Sequence, residues 1–342
     1  MTQVQAGQTL LEAKGLSKSF TVKSEGGLFS KRKAVAAVEG VDVSLRAGKI
    51  LAVVGESGSG KSVLARLLSR IVAPSAGELI LNGEVVDLKA HRDLAYAGQV
   101  QLVLQDPFAA MNPVRRVGHS LERPLLIHGT PEEQVGPRAH EILESVSLTP
   151  PQQYLDRYPH ELSGGQLQRI NIARALAVDP KVLLADEPIS MLDVSVRLGI
   201  LNLLRSLCDD RNLAIMYITH DIASARYIAD EVVVMYAGQI VERSSNTSLI
   251  DSPQHPYTQL LIASVPDPSA HGGVAVKAPS GASAAFNIEG CRFSPRCPQA
   301  LEVCKTNEPP MFEVAPGQTA RCWLHATEAQ RASVSISDKP IN

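Results

Sequence analysis

The 342-residue chain carries 33 basic and 35 acidic side chains for a net charge of −2, with 44% hydrophobic and 20% charged residues. At roughly 150 residues per domain this length predicts about two domains, enough chain to bury a sizeable core, and the composition excludes disordered and fibrous classes. Near-neutral charge gives no overall pull toward nucleic acid, and no apolar stretch approaches the ~20 residues of a membrane span. The opening MTQVQAGQTLLEAKG lacks the basic-then-apolar pattern of a secretory signal. The chain is therefore expected in the cytoplasm, or on a membrane face through a partner.

Alternating apolar positions predict strands over Leu11–Val22 and Val35–Leu45, the second ending in the turn signal Arg46-Ala47-Gly48. Ile50–Val54 is a short continuous apolar run, the pattern of a strand covered on both faces. A glycine-rich loop follows, and then Lys61–Val72, whose Val63, Leu64, Leu67, Leu68 and Ile71 fall at helical spacing. Pro74, Gly77, Asn82 and Gly83 punctuate a hairpin-like segment. From Phe108 to Ala177 the pattern is mainly helical. Buried-strand runs return at Val182–Ala185, Ala214–Ile218 and Val232–Tyr236. Strands alternating with helices predict a mostly parallel α/β sheet with the helical stretch inserted in it. Pro266–Gly290 is rich in Ala, Gly, Ser and Pro and reads as a linker, a cysteine module follows, and a polar tail starts near Glu328.

Gly55-Glu56-Ser57-Gly58-Ser59-Gly60-Lys61-Ser62 matches G-x-x-x-x-G-K-[ST] in full, after a predicted buried strand and before a predicted helix. Glycines let backbone N–H groups converge on phosphate oxygens, and the helix N-terminus adds partial positive charge. Lys61 is suited to the β- and γ-phosphates and the Ser62 hydroxyl to Mg²⁺. The competing reading, a glycine-rich turn with a surface lysine, does not account for that strand–loop–helix context. Asp186, directly after the Val182–Ala185 run, is placed to hold Mg²⁺ through water, and Glu187 to polarise the water attacking the γ-phosphate. Alone, such an acidic pair is more often a loop start or helix cap; the upstream loop reverses that preference.

Leu162-Ser163-Gly164-Gly165-Gln166 precedes an apolar-periodic helix, with Ser163 a good N-cap and the paired glycines permitting close approach of backbone or phosphate. Taken together, these motifs make the chain resemble the nucleotide-binding subunits of ATP-binding-cassette (ABC) transporters. LSGGQ matches that family's signature and lies between the phosphate loop and VLLADEP at 182–188. Gln105 in QLVLQDP matches the Q-loop, Ser190-Met191-Leu192-Asp193 the D-loop, and His220 in YITHD the switch histidine. The resemblance implies an α/β P-loop NTPase core with a mostly parallel sheet, an N-terminal antiparallel β subdomain, an inserted helical subdomain at about 108–177 and a Cys-rich C-terminal extension. The ATPase domain is expected over 1–262 and the linker and extension over 263–342.

The resemblance further implies ATP hydrolysis driving an importer. Two ATPase domains would pack head to tail, so that Ser163, Gly164, Gly165 and Gln166 meet a γ-phosphate bound by Gly55, Ser57, Gly58, Ser59, Gly60, Lys61 and Ser62 of the sister chain. Gln105 would reach Mg²⁺ or the attacking water, His220 the γ-phosphate, and Asp193 the opposite site. Implied partners are two transmembrane permease subunits, a homologous second ATPase and, indirectly, an extracytoplasmic solute-binding protein, with no nucleic acid. The location implied is peripheral, on the cytoplasmic face of the inner membrane. A soluble cassette ATPase of DNA repair or translation is disfavoured, because the insertion is too short for a coiled coil and there is one cassette. The family's adenine-stacking aromatic is missing near Lys31–Lys33, where Phe20, Phe29 or the Arg32 guanidinium are the candidates.

Four of the five cysteines, Cys291, Cys297, Cys304 and Cys322, are spaced C-x5-C-x6-C-x17-C. In a cytosolic chain this suggests metal binding more than disulfides, and four thiolates suit a tetrahedral Zn²⁺ or a four-iron cluster. Gly290-Cys-Arg-Phe-Ser-Pro-Arg-Cys-Pro, His255-Pro-Tyr-Thr-Gln-Leu-Leu and Asp193-Val-Ser-Val-Arg resemble the dipeptide/oligopeptide branch of the transporters, where the module is associated with a [4Fe–4S] cluster. The branch also implies peptides as cargo, with nickel chelates, oligosaccharides and opines as alternatives. Met191 and Leu198-Gly199 depart from that branch. Cys208 lies apart on a helical pattern and is expected to be a buried apolar residue.

Overall fold

A computed structural model describes residues 5–23, 32–88, 93–264, 289–327 and 330. The first strands, β1 (Thr9–Lys23) and β2 (Arg32–Arg46), pair antiparallel along most of their length. Next come β3 (Ile50–Val54), α1 (Lys61–Leu68), β4 (Ala76–Leu81) and β5 (Glu84–Val85). The β4–β5 turn has positive φ at both Asn82 (53°) and Gly83 (86°), the two-residue geometry whose twist suits a hairpin. Strands β2-β1-β4-β5 form a four-stranded antiparallel sheet.

Helix α2 (Leu94–Gln99) leads into β6 (Val100–Val103). The helical stretch then contains α3 (Val117–Ile127), α4 (Glu132–Ser145), α5 (Gln152–Leu155) and α6 (Gly164–Leu176) before the chain returns as β7 (Val182–Asp186). After it come α7 (Val194–Arg211), β8 (Ala214–Thr219), α8 (Ile222–Ile228), β9 (Glu231–Tyr236), β10 (Gln239–Ser245), α9 (Asn246–Asp251) and α10 (Pro256–Ala263). The carboxy-terminal module supplies α11 (Val303–Thr306), β11 (Phe312–Ala315) and β12 (Gln318–Ala320).

The main sheet has the order β11-β12-β10-β9-β3-β8-β7-β6. Strands β9, β3, β8, β7 and β6 run parallel, while β10, β12 and β11 pair antiparallel at one side. Both faces are covered, which explains the continuous apolar runs. Ile50, Ala52, Val54, Leu183, Ala185, Ile215 and Tyr217 enter one core with the helices α3, α4, α6 and α7. Their neighbours Leu51, Val53, Val182, Leu184, Met216 and Ile218 enter the other core with β1, β2 and α1. Since each fully buried aliphatic side chain is worth about 1.5–3 kcal/mol, two cores sharing one sheet hold the parallel strands firmly in register.

Two expectations change in detail. The helix predicted over Lys61–Val72 stops at Leu68, and Arg70 takes a left-handed φ of 58°. The cysteine module does not stand apart from the ATPase core: Ala320 and Thr319 of β12 pair with Glu242 and Arg243 of β10, so its hairpin widens the main sheet. The expected linker and tail lie almost wholly outside the described residues.

Candidate nucleotide site

Parallel strands end together, and in open α/β sheets ligands bind beyond their carboxyl ends. Here that edge carries the loop after β3, Gln105 after β6, Asp186 and Glu187 at the end of β7, and His220 after β8. A cavity of about 620 Å³ lies over it, lined by Glu56, Ser57, Gly58, Gly60, Lys61, Ser62, Gln105, Glu187 and His220, with Ala37, Val63 and Leu261.

The loop's shape depends on Gly60. Its φ is +104°, and a Cβ there would lie 2.4 Å from the Ala37 carbonyl oxygen, so a side chain is both strained and obstructed. Lys61 is 4% exposed. Its ammonium donates to the carbonyls of Gly55 (2.7 Å) and Glu56 (2.8 Å). Burial pushes the Lys61 pKa below its ordinary value, against the pull of Glu187, Asp186 and Glu56. The Ser62 hydroxyl donates to Asp186 Oδ1 at 2.9 Å. Burial raises the Asp186 pKa, and that hydrogen bond opposes the rise. Hydroxyl and carboxylate oxygens side by side are the hard donors Mg²⁺ takes, so the pair fits the expected ion.

Gln105 Nε2 donates to Glu187 Oε2 at 3.1 Å, and His220 Nδ1 lies 3.3 Å from the same oxygen. The three residues expected to act on the γ-phosphate and its water thus converge on one carboxylate atom. Glu187 itself has a φ of 45°, an uncommon conformation for a residue with a side chain. Its backbone N–H donates to the Ile218 carbonyl at 3.0 Å, which ties the end of β7 to β8.

The LSGGQ residues are elsewhere. Ser163 caps α6: its Oγ accepts from Gln166 N at 3.3 Å and its N–H donates to Gln166 Oε1 at 3.1 Å, a reciprocal capping box. A Cβ on Gly165 would meet Val196 Cγ1 at 2.5 Å, so that glycine allows α6 to approach α7. Asp193 sits at the N-cap of α7 without a side-chain cap bond. None of Ser163, Gly164, Gly165, Gln166 or Asp193 lines the cavity. Among the adenine candidates, Phe20 is 40% exposed and does not line it either. Phe29, Lys31 and the side chains of Arg32 and Lys33 lie outside the described residues.

The metal centre expected at Cys291, Cys297, Cys304 and Cys322 is not assembled. Among the described residues no three His, Cys, Asp or Glu side chains stand close enough to hold a metal ion, and all five cysteines are free. Burial pushes the Cys291 and Cys322 thiols up to about 12 and raises Cys297 and Cys304 as well, which favours the protonated thiol over the thiolate ligand. Cys304 packs with Val303, Phe312 and Trp323, and its carbonyl accepts from Cys291 N at 2.8 Å. Cys208 is fully buried on α7, as expected of an apolar residue.

Two residues beside the loop carried no sequence signal of their role. The Tyr257 hydroxyl accepts from Glu56 N at 2.8 Å. Arg296 meets the Glu56 carboxylate through both terminal nitrogens at 2.8 Å. Only their place in His255-Pro-Tyr and Cys-Arg-Phe-Ser-Pro-Arg-Cys singled these segments out.

The family model "ABC transporter" matches residues 38–190, and "Oligopeptide/dipeptide transporter, C-terminal region" matches residues 241–304. The dipeptide transport ATP-binding protein DppF of Haemophilus influenzae is 40% identical over 325 residues, covering 94% of this chain and 98% of that protein. The oligopeptide transport ATP-binding protein AppF of Bacillus subtilis is 38% identical over 328 residues, covering 93% and 98%. Among solved structures, the ATP-binding cassette MJ0796 in a dimeric post-hydrolysis state with ADP and Pi superposes with a TM-score of 0.60. It is 24% identical and covers 69% of this chain and 99% of that one. Fold, loop geometry and these similarities agree that the chain belongs to the oligopeptide/dipeptide branch of the ABC transporter family, as the ATP-hydrolysing subunit of an importer.

Proposed function

We propose that this subunit binds MgATP in the cavity over the β3, β6, β7 and β8 termini and completes its site only against a second ATPase subunit. The observation that carries this reading is the split: Lys61, Ser62, Gln105, Glu187 and His220 share one cavity, whereas Ser163 is exposed on a separate surface of the same chain. Loop amides and Lys61 hold the phosphates. Ser62 and Asp186 would hold Mg²⁺, which would offset phosphate charge. Glu187 accepts a proton from the water that attacks the γ-phosphorus, ADP leaves, and His220 and Gln105 orient the reacting groups. Ser163, Gly164 and Gly165 grip the γ-phosphate of the opposite site, so phosphate release loosens the pair.

The relatives named for dipeptide and oligopeptide transport support di- or oligopeptides as the cargo. Membership of this transporter family implies permease partners, which we take to be two permease subunits alongside a homologous second ATPase and, indirectly, an external binding protein. Among the described residues no helix is long and apolar enough to cross a membrane; the peripheral place on the cytoplasmic face rests on the family membership alone. No step of the ATP cycle runs through the four cysteines of the carboxy-terminal module.

Glu187→Gln tests the catalytic assignment. The expected outcome is MgATP affinity close to wild type with hydrolysis about 10²–10⁴-fold slower, the contribution typical of a general base. Single-turnover phosphate release at wild-type rate contradicts the assignment.

A further inference from the structure

Glu56, the second residue of the phosphate loop, is held at three points from three parts of the molecule. Its N–H donates to the Tyr257 hydroxyl of α10 at 2.8 Å, and its carbonyl accepts from the Lys61 ammonium at 2.8 Å. Its carboxylate receives both arms of the Arg296 guanidinium, Nη1 to Oε2 and Nη2 to Oε1, each at 2.8 Å. This is the planar fork that only arginine provides. The Arg296 side chain is 9% exposed and that of Glu56 29%. Aromatic rings fix the guanidinium, its carbon lying 5.7 Å from the Tyr236 centroid and 5.9 Å from that of Phe293. Phe293 is fully buried, edge-on to Tyr236 at 5.2 Å. Its neighbour Arg292 donates to the Ala237 carbonyl and pairs with Glu39.

A carboxylate in a loop that must attract a triphosphate is an electrostatic liability. Glu56 lines the cavity and is among the charges acting on Lys61. Without a partner, its charge would compete with the phosphates for the Lys61 ammonium and repel the nucleotide, the more strongly because the pair is largely shielded from solvent. We infer that Arg296 of the cysteine module is a positioning residue for nucleotide binding, neutralising Glu56 so that the Lys61 charge is left for the phosphates. The carboxy-terminal extension is thereby a working part of the nucleotide site, and the segment between Cys291 and Cys297 is its point of attachment. This rests on the reading of Gly55–Ser62 as the phosphate loop.

The test is calorimetric titration of MgATP into the full-length wild type, Arg296→Ala, Arg296→Lys and the double variant Arg296→Ala/Glu56→Gln. The expected result is about tenfold weaker binding for Arg296→Ala, a smaller loss for Arg296→Lys, and recovery to within about threefold of wild type in the double variant. Recovery separates charge masking from mere loss of structure, because the double variant lacks the same ion pair. Arg296→Ala binding as wild type does, or a double variant as weak as Arg296→Ala, overturns the inference alone. A wild-type chain that fails to bind MgATP overturns the phosphate-loop reading and this inference with it.

Discussion

Gly60 shows how far one residue's backbone governs the site. Its φ of +104° and the Ala37 carbonyl 2.4 Å from any Cβ leave room for hydrogen alone. Gly60→Ala therefore brings left-handed strain of about 1–3 kcal/mol and forces the loop away from β2. The expected outcome is a lowered denaturation midpoint and loss of MgATP binding by tenfold or more, read by calorimetry. Binding at wild-type strength contradicts the assigned loop geometry. Glu187 has a similar backbone demand met by a residue that cannot be glycine, since its carboxylate is the atom on which Gln105 and His220 converge. Of these residue-level features, the motif Gly55–Ser62 and the order of Gln105, Glu187 and His220 were legible in the sequence, because their spacing reflects strand ends. Arg296 and Tyr257 were not: they lie 240 and 201 positions from Glu56, and no local pattern encodes a contact at that separation.

At the scale of the element, α10 carries a titration set by burial. His255 caps it, its Nδ1 accepting from Tyr257 N at 3.0 Å, and the ring is 1% exposed. Burial lowers its pKa from 6.5 to about 3. The unfolded chain thus takes the proton first on acidification. Stability from neutral His255 is fully present above the unfolded value and is lost as pH falls from 6.5 toward 3, by about 2 kcal/mol between pH 6.5 and 5. His255→Asn keeps a capping oxygen and removes the titration. Urea denaturation at pH 7 and pH 5 should show the variant losing less stability than wild type; equal losses contradict the buried-neutral assignment. Elements were legible where periodicity was unambiguous: β3 matches its predicted span, and β7, β8 and β9 fall within one residue of theirs. Helix α1 ends earlier than its apolar spacing suggests, because Ile71 is 64% exposed and joins neither core. Strands β11 and β12, only four and three residues long, are specified by pairing, β12 with β10 and β11 with β12, and not by their own pattern.

For the whole molecule, sequence order and spatial order part company. LSGGQ lies between the phosphate loop and Glu187 in the chain, yet Ser163 caps α6 outside the cavity that the loop and Glu187 both line. On the proposed reading, one chain presents two incomplete halves of a site. The cysteine module runs the other way: read from the sequence as an appended extension, it joins the main sheet through β12 and reaches the phosphate loop through Arg296. The most direct measurement is sedimentation velocity of the Glu187→Gln subunit with its homologous partner ATPase, in MgATP and in MgADP. The split site predicts tight association in MgATP and separate subunits in MgADP; equal association in the two nucleotides would contradict it.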